Sequence, residues 1–402
     1  MPRDRRGLSR RRLLTGSLGA AALTLRTPST AAQERPESAS RPGRGPNELG
    51  ARAEAERPRR LPSPTSSRTP LQDLHGTITP SDVHFERHHA GVPVIDKAAH
   101  RLLVHGMVER PLAFTVDELT RLPSTSRICF LECSGNFVRQ NGERTTPQAL
   151  CGLTSQSEWT GVKLSTLLAE TGISARATWF LAEGQDAALM TRSIPLREAL
   201  PEALIVYAQN GEALRPEQGY PIRLFLPGWE GNASVKWLRR LELADQPFMT
   251  REETSKYTEP FANDTARMFS LVMDARSLIT HPAFPTKLER GWVDINGIAW
   301  TGSGRITRVD ISTDGGKTWT PARLQEPVLP KAHTRFHHLW QWTGGEAVIM
   351  SRAVDETGYM QPTRAELFKL RGPGTTGYHL NPITGWVVRA DGTVVYKEEP
   401  WG

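Results

Sequence analysis

Three cysteines, Cys129, Cys133 and Cys151, are the side chains of this 402-residue chain best suited to bind a soft metal or form a covalent link. The apolar run Arg127-Ile128-Cys129-Phe130-Leu131 breaks into Ser134-Gly135-Asn136, so Cys133 falls where a strand gives way to a turn. Its sulfur would emerge there among free backbone N–H groups, whose dipoles favour a thiolate. The competing reading is a disulfide between Cys129 and Cys151 with Cys133 left over, and spacing does not separate the two. His333, His337 and His338 lack the spacing and the paired cysteines of a zinc site. No C-x-x-C-H run occurs, so the chain binds no c-type haem covalently, and any electrons would have to leave through another protein.

A strand must therefore deliver Cys133, and the pattern around it says what kind of fold does so. The length exceeds what one hydrophobic core organises, which predicts two folded domains. Between Leu71 and Ser270, strand-like runs such as Ile222-Arg223-Leu224-Phe225-Leu226 alternate with short helices. Thr115 and Glu118 form a capping-box pair, and Leu164 to Thr171 reads as a helix closed by Gly172. From about Leu271 the period becomes two, with strands expected at Trp292 to Trp300, Ile306 to Ser312, Ala347 to Val354 and Trp386 to Arg389. Asp314-Gly315-Gly316 and Asp391-Gly392 supply hairpin turns. This predicts an α+β domain over 71–270 and an all-β sandwich over 271–402.

The first 32 residues read differently. Ser9-Arg10-Arg11-Arg12-Leu13-Leu14 leads into a short apolar stretch from Gly16 to Leu25 and a small-residue site at Thr30-Ala31-Ala32, the order of a twin-arginine export signal. The stretch is too short to span a bilayer, so no membrane anchor is expected after cleavage. Residues 33–70, rich in Pro, Ser, Arg, Glu and Gly, read as a disordered linker. The formal charge of +7 resides in these two segments, and the body from Leu71 onward is slightly acidic, so nucleic acid is not implied.

Leu131-Glu132-Cys133-Ser134-Gly135-Asn136 resembles the metal-ligand loop of the sulfite oxidase family, whose cysteine binds molybdenum beside the dithiolene of a pterin. The resemblance runs from about Phe85 to Val388. Phe85-Glu86-Arg87-His88-His89 is similar to the family's Arg-Asn-His segment, with His88 in place of Asn. Trp159-Thr160-Gly161-Val162-Lys163-Leu164, and Glu183-Gly184-Gln185-Asp186 with Ser193-Ile194-Pro195, resemble further family segments. Gly219-Tyr220-Pro221-Ile222-Arg223, Pro227-Gly228 and Ser234-Val235-Lys236-Trp237-Leu238 resemble the run that binds the pterin phosphate. Gly297 to Gly302 and Asp314 to Trp319 resemble the family's immunoglobulin-like dimerisation domain. The resemblance implies a molybdenum-molybdopterin cofactor, with Cys133 as metal ligand and His88, His89, Asp186, Arg223, Ser234 and Lys236 as cofactor-binding residues. It also implies Arg87 and Tyr257 at the catalytic centre.

Gln218 stands where vertebrate and plant members carry a pterin-binding His, and Phe137-Val138 where they carry two arginines; a tryptophan expected shortly before Gly152 is missing. These departures, and Tyr378-His379-Leu380-Asn381, resemble the molybdenum subunit of the bacterial Sox sulfane dehydrogenases. That branch implies a periplasmic enzyme, a dimer or heterotetramer, oxidising sulfane sulfur on a carrier protein and passing electrons to a c-type cytochrome subunit. The alternatives are a sulfite dehydrogenase acting on free sulfite, a reductase on the same cofactor domain, and an exported binding protein without metal. The sandwich after Leu271 argues against the reductase, because reductases of that kind resemble the first domain only.

Overall fold

The computed structural model describes residues 45–137, 142–261, 263–372 and 377–398. The signal at 1–32 and the linker up to residue 44 lie outside them. The chain divides after Glu56, and residues 45–56 contain neither helix nor strand.

Composition assigns Leu61–Arg68 to the linker, but the structure corrects this. Leu61–Ser63 and Ser66–Arg68 form a hairpin that Glu86–Arg87 extends to a three-stranded sheet. The hairpin is held by partners distant in sequence: Ser67 Oγ donates to Glu86 Oε1 at 2.9 Å, and the Thr69 N–H donates to the Gly152 carbonyl at 2.7 Å. A segment poor in apolar residues can order when its backbone groups are satisfied from elsewhere, which local composition does not reveal.

Two five-stranded sheets build the first domain. One has the order Glu212–Ala213, Leu204–Gln209, Thr154–Lys163 and Ser124–Glu132, with Arg223–Phe225 also paired to Leu204–Gln209. The other runs Leu112–Thr115, Arg101–Gly106, Leu238–Ala244, Trp179–Gly184 and Thr191–Pro195, with one parallel pair, Arg101–Gly106 beside Leu238–Ala244. The Thr115/Glu118 capping box starts Val116–Arg121, and Leu164–Thr171 stops at Gly172, whose φ of +68° suits glycine. Leu102, Leu119, Leu164, Leu167, Ile205 and Leu241 pack between these elements with no solvent exposure.

The sandwich follows. Its four-stranded sheet has the order Arg276–His281, Gly291–Trp300, Thr334–Trp342 and Arg323–Leu324. Its five-stranded sheet runs Thr320–Pro321, Ile306–Ser312, Ala347–Asp355, Gly385–Val388 and Val394–Tyr396. Gly315, Gly316 and Gly392 turn the hairpins at φ of +75°, +92° and +85°. The strands Arg276–His281 and Thr334–Trp342 and the capped helix Arg364–Arg371 were not anticipated, although Thr363 and Glu366 spell the capping box that starts the helix. The sandwich core is not closed on itself: Leu71, Phe130, Phe137, Leu150 and Cys151 of the first domain pack into it beside Trp300 and Phe336. All three cysteines are free, so Cys129 and Cys151 form no disulfide, and burial pushes both thiols up to about 11.

Candidate active site

Strand Ser124–Glu132 ends one residue before Cys133, and the chain turns there because the Asn136 N–H donates to the Cys133 carbonyl at 2.9 Å. The Cys133 N–H is used by the Leu153 carbonyl at 3.0 Å, which sets the direction in which the side chain leaves the sheet. Cys133 then reaches a pocket of about 670 Å³. The expected thiolate-favouring turn is partly present, since the Gly135 N–H is directed at the sulfur. Burial outweighs it, however, and the thiol is raised above its ordinary range by desolvation, with Glu132 and Glu230 adding to the rise.

Arg87, His88, His89, Cys133, Asp186, Arg223, Ser234, Lys236 and Tyr257, all singled out in the sequence, line this pocket together. Arg223 and Lys236 occupy one end. Arg223 is 1% exposed and has no carboxylate partner within salt-bridge reach among the described residues; its guanidinium donates to the carbonyls of Gln218 at 3.0 Å and Ser234 at 2.8 Å. Burial alone lowers it to about 9. Lys236 Nζ donates to His88 Nδ1 at 2.8 Å and to the carbonyls of Arg87 and Glu217, each at 3.1 Å. Its pKa falls far below the usual lysine range, first through burial and then through Arg223. Gly219 permits this crowding: a Cβ there would lie 3.1 Å from Lys236 Cβ and 3.2 Å from Arg223 Cβ, at a φ of +107°.

Arg223 is buried and Lys236 half-buried, neither has a carboxylate within ion-pair distance among the described residues, and such charges are costly unless an anion joins them. A phosphate between Arg223 and Lys236 would supply that charge, so the residues present fit a pterin phosphate. Trp237 closes this end, its ring 4.5 Å from Lys236 Nζ and its backbone held at a φ of +52°, a strained value for a bulky residue. Gln218 holds the Phe85 carbonyl at 2.8 Å, and Asp186 Oδ1 accepts from the Met190 N–H at 3.1 Å. His88 gives its other nitrogen to Glu86 Oε2 at 2.8 Å, and burial lowers its pKa.

The cysteine end is built from more remote pieces. Tyr257 ends the segment Glu252–Lys256; its hydroxyl lies 3.3 Å from His89 Nε2, and burial raises its pKa well beyond the usual phenol range. Arg192 stacks 5.0 Å from the Tyr257 ring while pairing with Glu230 at 2.8 Å and Glu253 at 2.7 Å. Tyr378, from the sandwich, packs 5.1 Å from Tyr257. The sequence reading missed Arg192, Glu230 and Glu253, because the strand Thr191–Pro195 is polar in sequence and only the tertiary structure buries its Arg192.

A two-domain α+β and sandwich molecule, with one cysteine at a strand end lining the same pocket as the cationic Arg223 and Lys236, fits a pterin-cofactor oxidoreductase. Residues 89–252 match the family model described as oxidoreductase molybdopterin binding domain, and residues 267–385 match the Mo-co oxidoreductase dimerisation domain. The chain is 31% identical to sulfite oxidase of Gallus gallus over 330 residues, covering 75% of this chain and 72% of that protein. It is 30% identical to an NADH nitrate reductase of Ulva prolifera, of whose length it spans 40%. Its fold superposes on the crystal structure of the sulfane dehydrogenase SoxCD from Paracoccus pantotrophus with a TM-score of 0.88, at 43% identity and covering 93% of this chain and all of the matched one. The chain belongs to the sulfite oxidase family of molybdenum oxidoreductases and takes a molybdenum-molybdopterin cofactor.

Proposed function

We propose that the chain is the molybdenum subunit of a sulfane dehydrogenase, oxidising sulfane sulfur on a carrier protein and passing electrons to a c-type cytochrome subunit. The observation that carries this reading is the end-to-end likeness to the SoxCD chain, at higher identity than to the sulfite oxidases. Bound molybdenum supplies two-electron oxidation of sulfur with transfer of an oxygen atom. Cys133 would be its protein ligand, Arg223 and Lys236 would hold the phosphate, and His88, His89, Asp186 and Ser234 would hold the remainder of the pterin. Arg87 and Tyr257, which line the same pocket as Cys133, would orient the reacting sulfur.

The charge at the cysteine end supports a bulky, less charged substrate. Arg192 and Arg276 are already neutralised by Glu230, Glu253 and Glu132, and Phe137 turns into the sandwich core at 6% exposure. Arg68 and Arg87 are the guanidiniums acting on Cys133 that have no carboxylate within ion-pair distance among the described residues. Free sulfite, a small dianion, needs several cations, each charge-assisted contact giving about 1.5–3 kcal/mol. A sulfane carried on a peptide arm gains its binding from protein contacts and tethering instead. Steady-state comparison with the cytochrome partner tests this: carrier-bound sulfane is expected to exceed free sulfite in kcat/KM, and equality would make the enzyme a sulfite dehydrogenase. The twin-arginine order read at residues 9–32 supports a periplasmic location.

A further inference from the structure

The loop that presents Cys133 is gripped from both sides by the sandwich. Upstream, Glu132 is 1% exposed and fully occupied. Its Oε1 accepts from Arg276 Nη1 at 2.8 Å and from Asn136 Nδ2 at 3.0 Å, and its Oε2 accepts from Trp300 Nε1 at 2.6 Å. Arg276 and Trp300 both belong to the sandwich, and Arg276 also donates to the carbonyls of Asn136 and Leu380. Downstream, the Ser134 carbonyl accepts from the His379 N–H at 2.8 Å, and the His379 ring lies 3.1 Å from Glu230 Oε2. Glu230 runs beside Glu132 as a parallel bridge. Glu132 is thus held by the Arg276 and Trp300 side chains, and Ser134 by the His379 backbone N–H, all more than 100 positions away in sequence.

We propose that Glu132 is a positioning residue, through which Arg276 and Trp300 of the sandwich set the direction of the Cys133 sulfur and so the electronic state of the metal it binds. Buried donors on a ligand-bearing segment control ligand orientation, and losing such partners costs about 10- to 100-fold in metal affinity or activity. The sandwich therefore acts on the metal centre in addition to any role between subunits. This rests on Cys133 being the metal ligand.

The test compares loaded full-length variants by molybdenum content, thiolate-to-molybdenum absorption, midpoint potential and steady-state kinetics. Trp300→Phe keeps the Glu132–Arg276 ion pair and an aromatic ring of smaller size while removing one donor. It is expected to shift the absorption band and the potential and to lower kcat about tenfold at unchanged KM. Trp386→Phe removes the indole donor to the Ile279 carbonyl, 3.2 Å away inside the sandwich, and serves as comparator. It should lower thermal stability and leave the band in place. Glu132→Gln should shift the band further than Trp300→Phe, because it also leaves Arg276 without its counter-charge. A drop in molybdenum content confined to Trp300→Phe and Glu132→Gln supports the same conclusion. An unmoved band and potential in Trp300→Phe, or equal changes in Trp300→Phe and Trp386→Phe, overturns the proposal. Cys133→Ser separates the two readings: if it retains the band, the ligand assignment itself fails.

Discussion

At the scale of single residues, the pocket is defined by charges that would be unfavourable without a ligand. Arg223 is buried against carbonyls and Trp159 with no carboxylate within ion-pair distance among the described residues, so an anion in the pocket would offset its charge. Arg223→Met should weaken cofactor retention by about 1.5–3 kcal/mol, about 10- to 100-fold, as molybdenum per chain measures directly. Full loading of the variant would remove Arg223 from the phosphate site. Two other buried residues give a pH signature. Burial holds His84 and His333 down to about 3, against 6.5 when exposed, so both are neutral in the folded state. The unfolded chain takes up these protons near pH 6.5 while the folded one does not. Stability is present above that pH and declines as pH falls towards 3, by about 1.4 kcal/mol per pH unit for each histidine. His333→Gln, which can keep the 3.0 Å bond to Thr154, should flatten the unfolding free energy between pH 6 and 4 by one proton's worth. Parallel pH profiles for variant and wild type would refute this.

At the scale of elements, the site depends on how closely two backbones approach. Gly231 lies against the end of strand Ser124–Glu132, where an added Cβ would sit 2.7 Å from the Glu132 carbonyl oxygen and 3.5 Å from the Cys133 nitrogen. Backbone cannot yield as a side-chain tip can, so Gly231→Ala must displace the ligand loop. A loss of about 1–3 kcal/mol in stability is expected, together with reduced molybdenum content. Gly345→Ala, with nothing within 4 Å of its added Cβ, should do neither, and equal behaviour of the two would show that the close approach is unimportant. The elements themselves were largely readable. The Thr115/Glu118 box, the Gly172 stop and the strand Ile306–Ser312 follow from local chemistry and appear where the pattern puts them. Leu61–Arg68 was misread because its order comes from Glu86 and Gly152, remote in sequence.

At the scale of the whole molecule, the two domains share material: Phe130, Phe137 and Leu150 are buried in the sandwich core, and the sandwich's Arg276 is buried against Glu132. On the proposed reading of residues 9–32 as a twin-arginine signal, the cofactor would be inserted before export and travel with the folded chain. Replacing Arg10 and Arg11 by Lys should leave the loaded enzyme in the cytoplasm, since that route reads the arginine pair and not charge alone. Recovery of the double variant in the periplasm at wild-type yield would sink the export assignment.

The residue types and local order of this chain determined the strand end at Cys133, the switch to period two near Leu271 and the segments carrying Arg87, Asp186, Arg223 and Lys236. Those features depend on neighbours within a few positions, so a linear reading reaches them. Only the tertiary structure decided that Cys129 and Cys151 stay apart, that burial raises the Cys133 thiol, and that Arg192, Glu230 and His379 form one buried network beside it. Each of these is set by desolvation and by partners more than 20 positions away in sequence, and a charge's cost or worth is undefined until its surroundings are known.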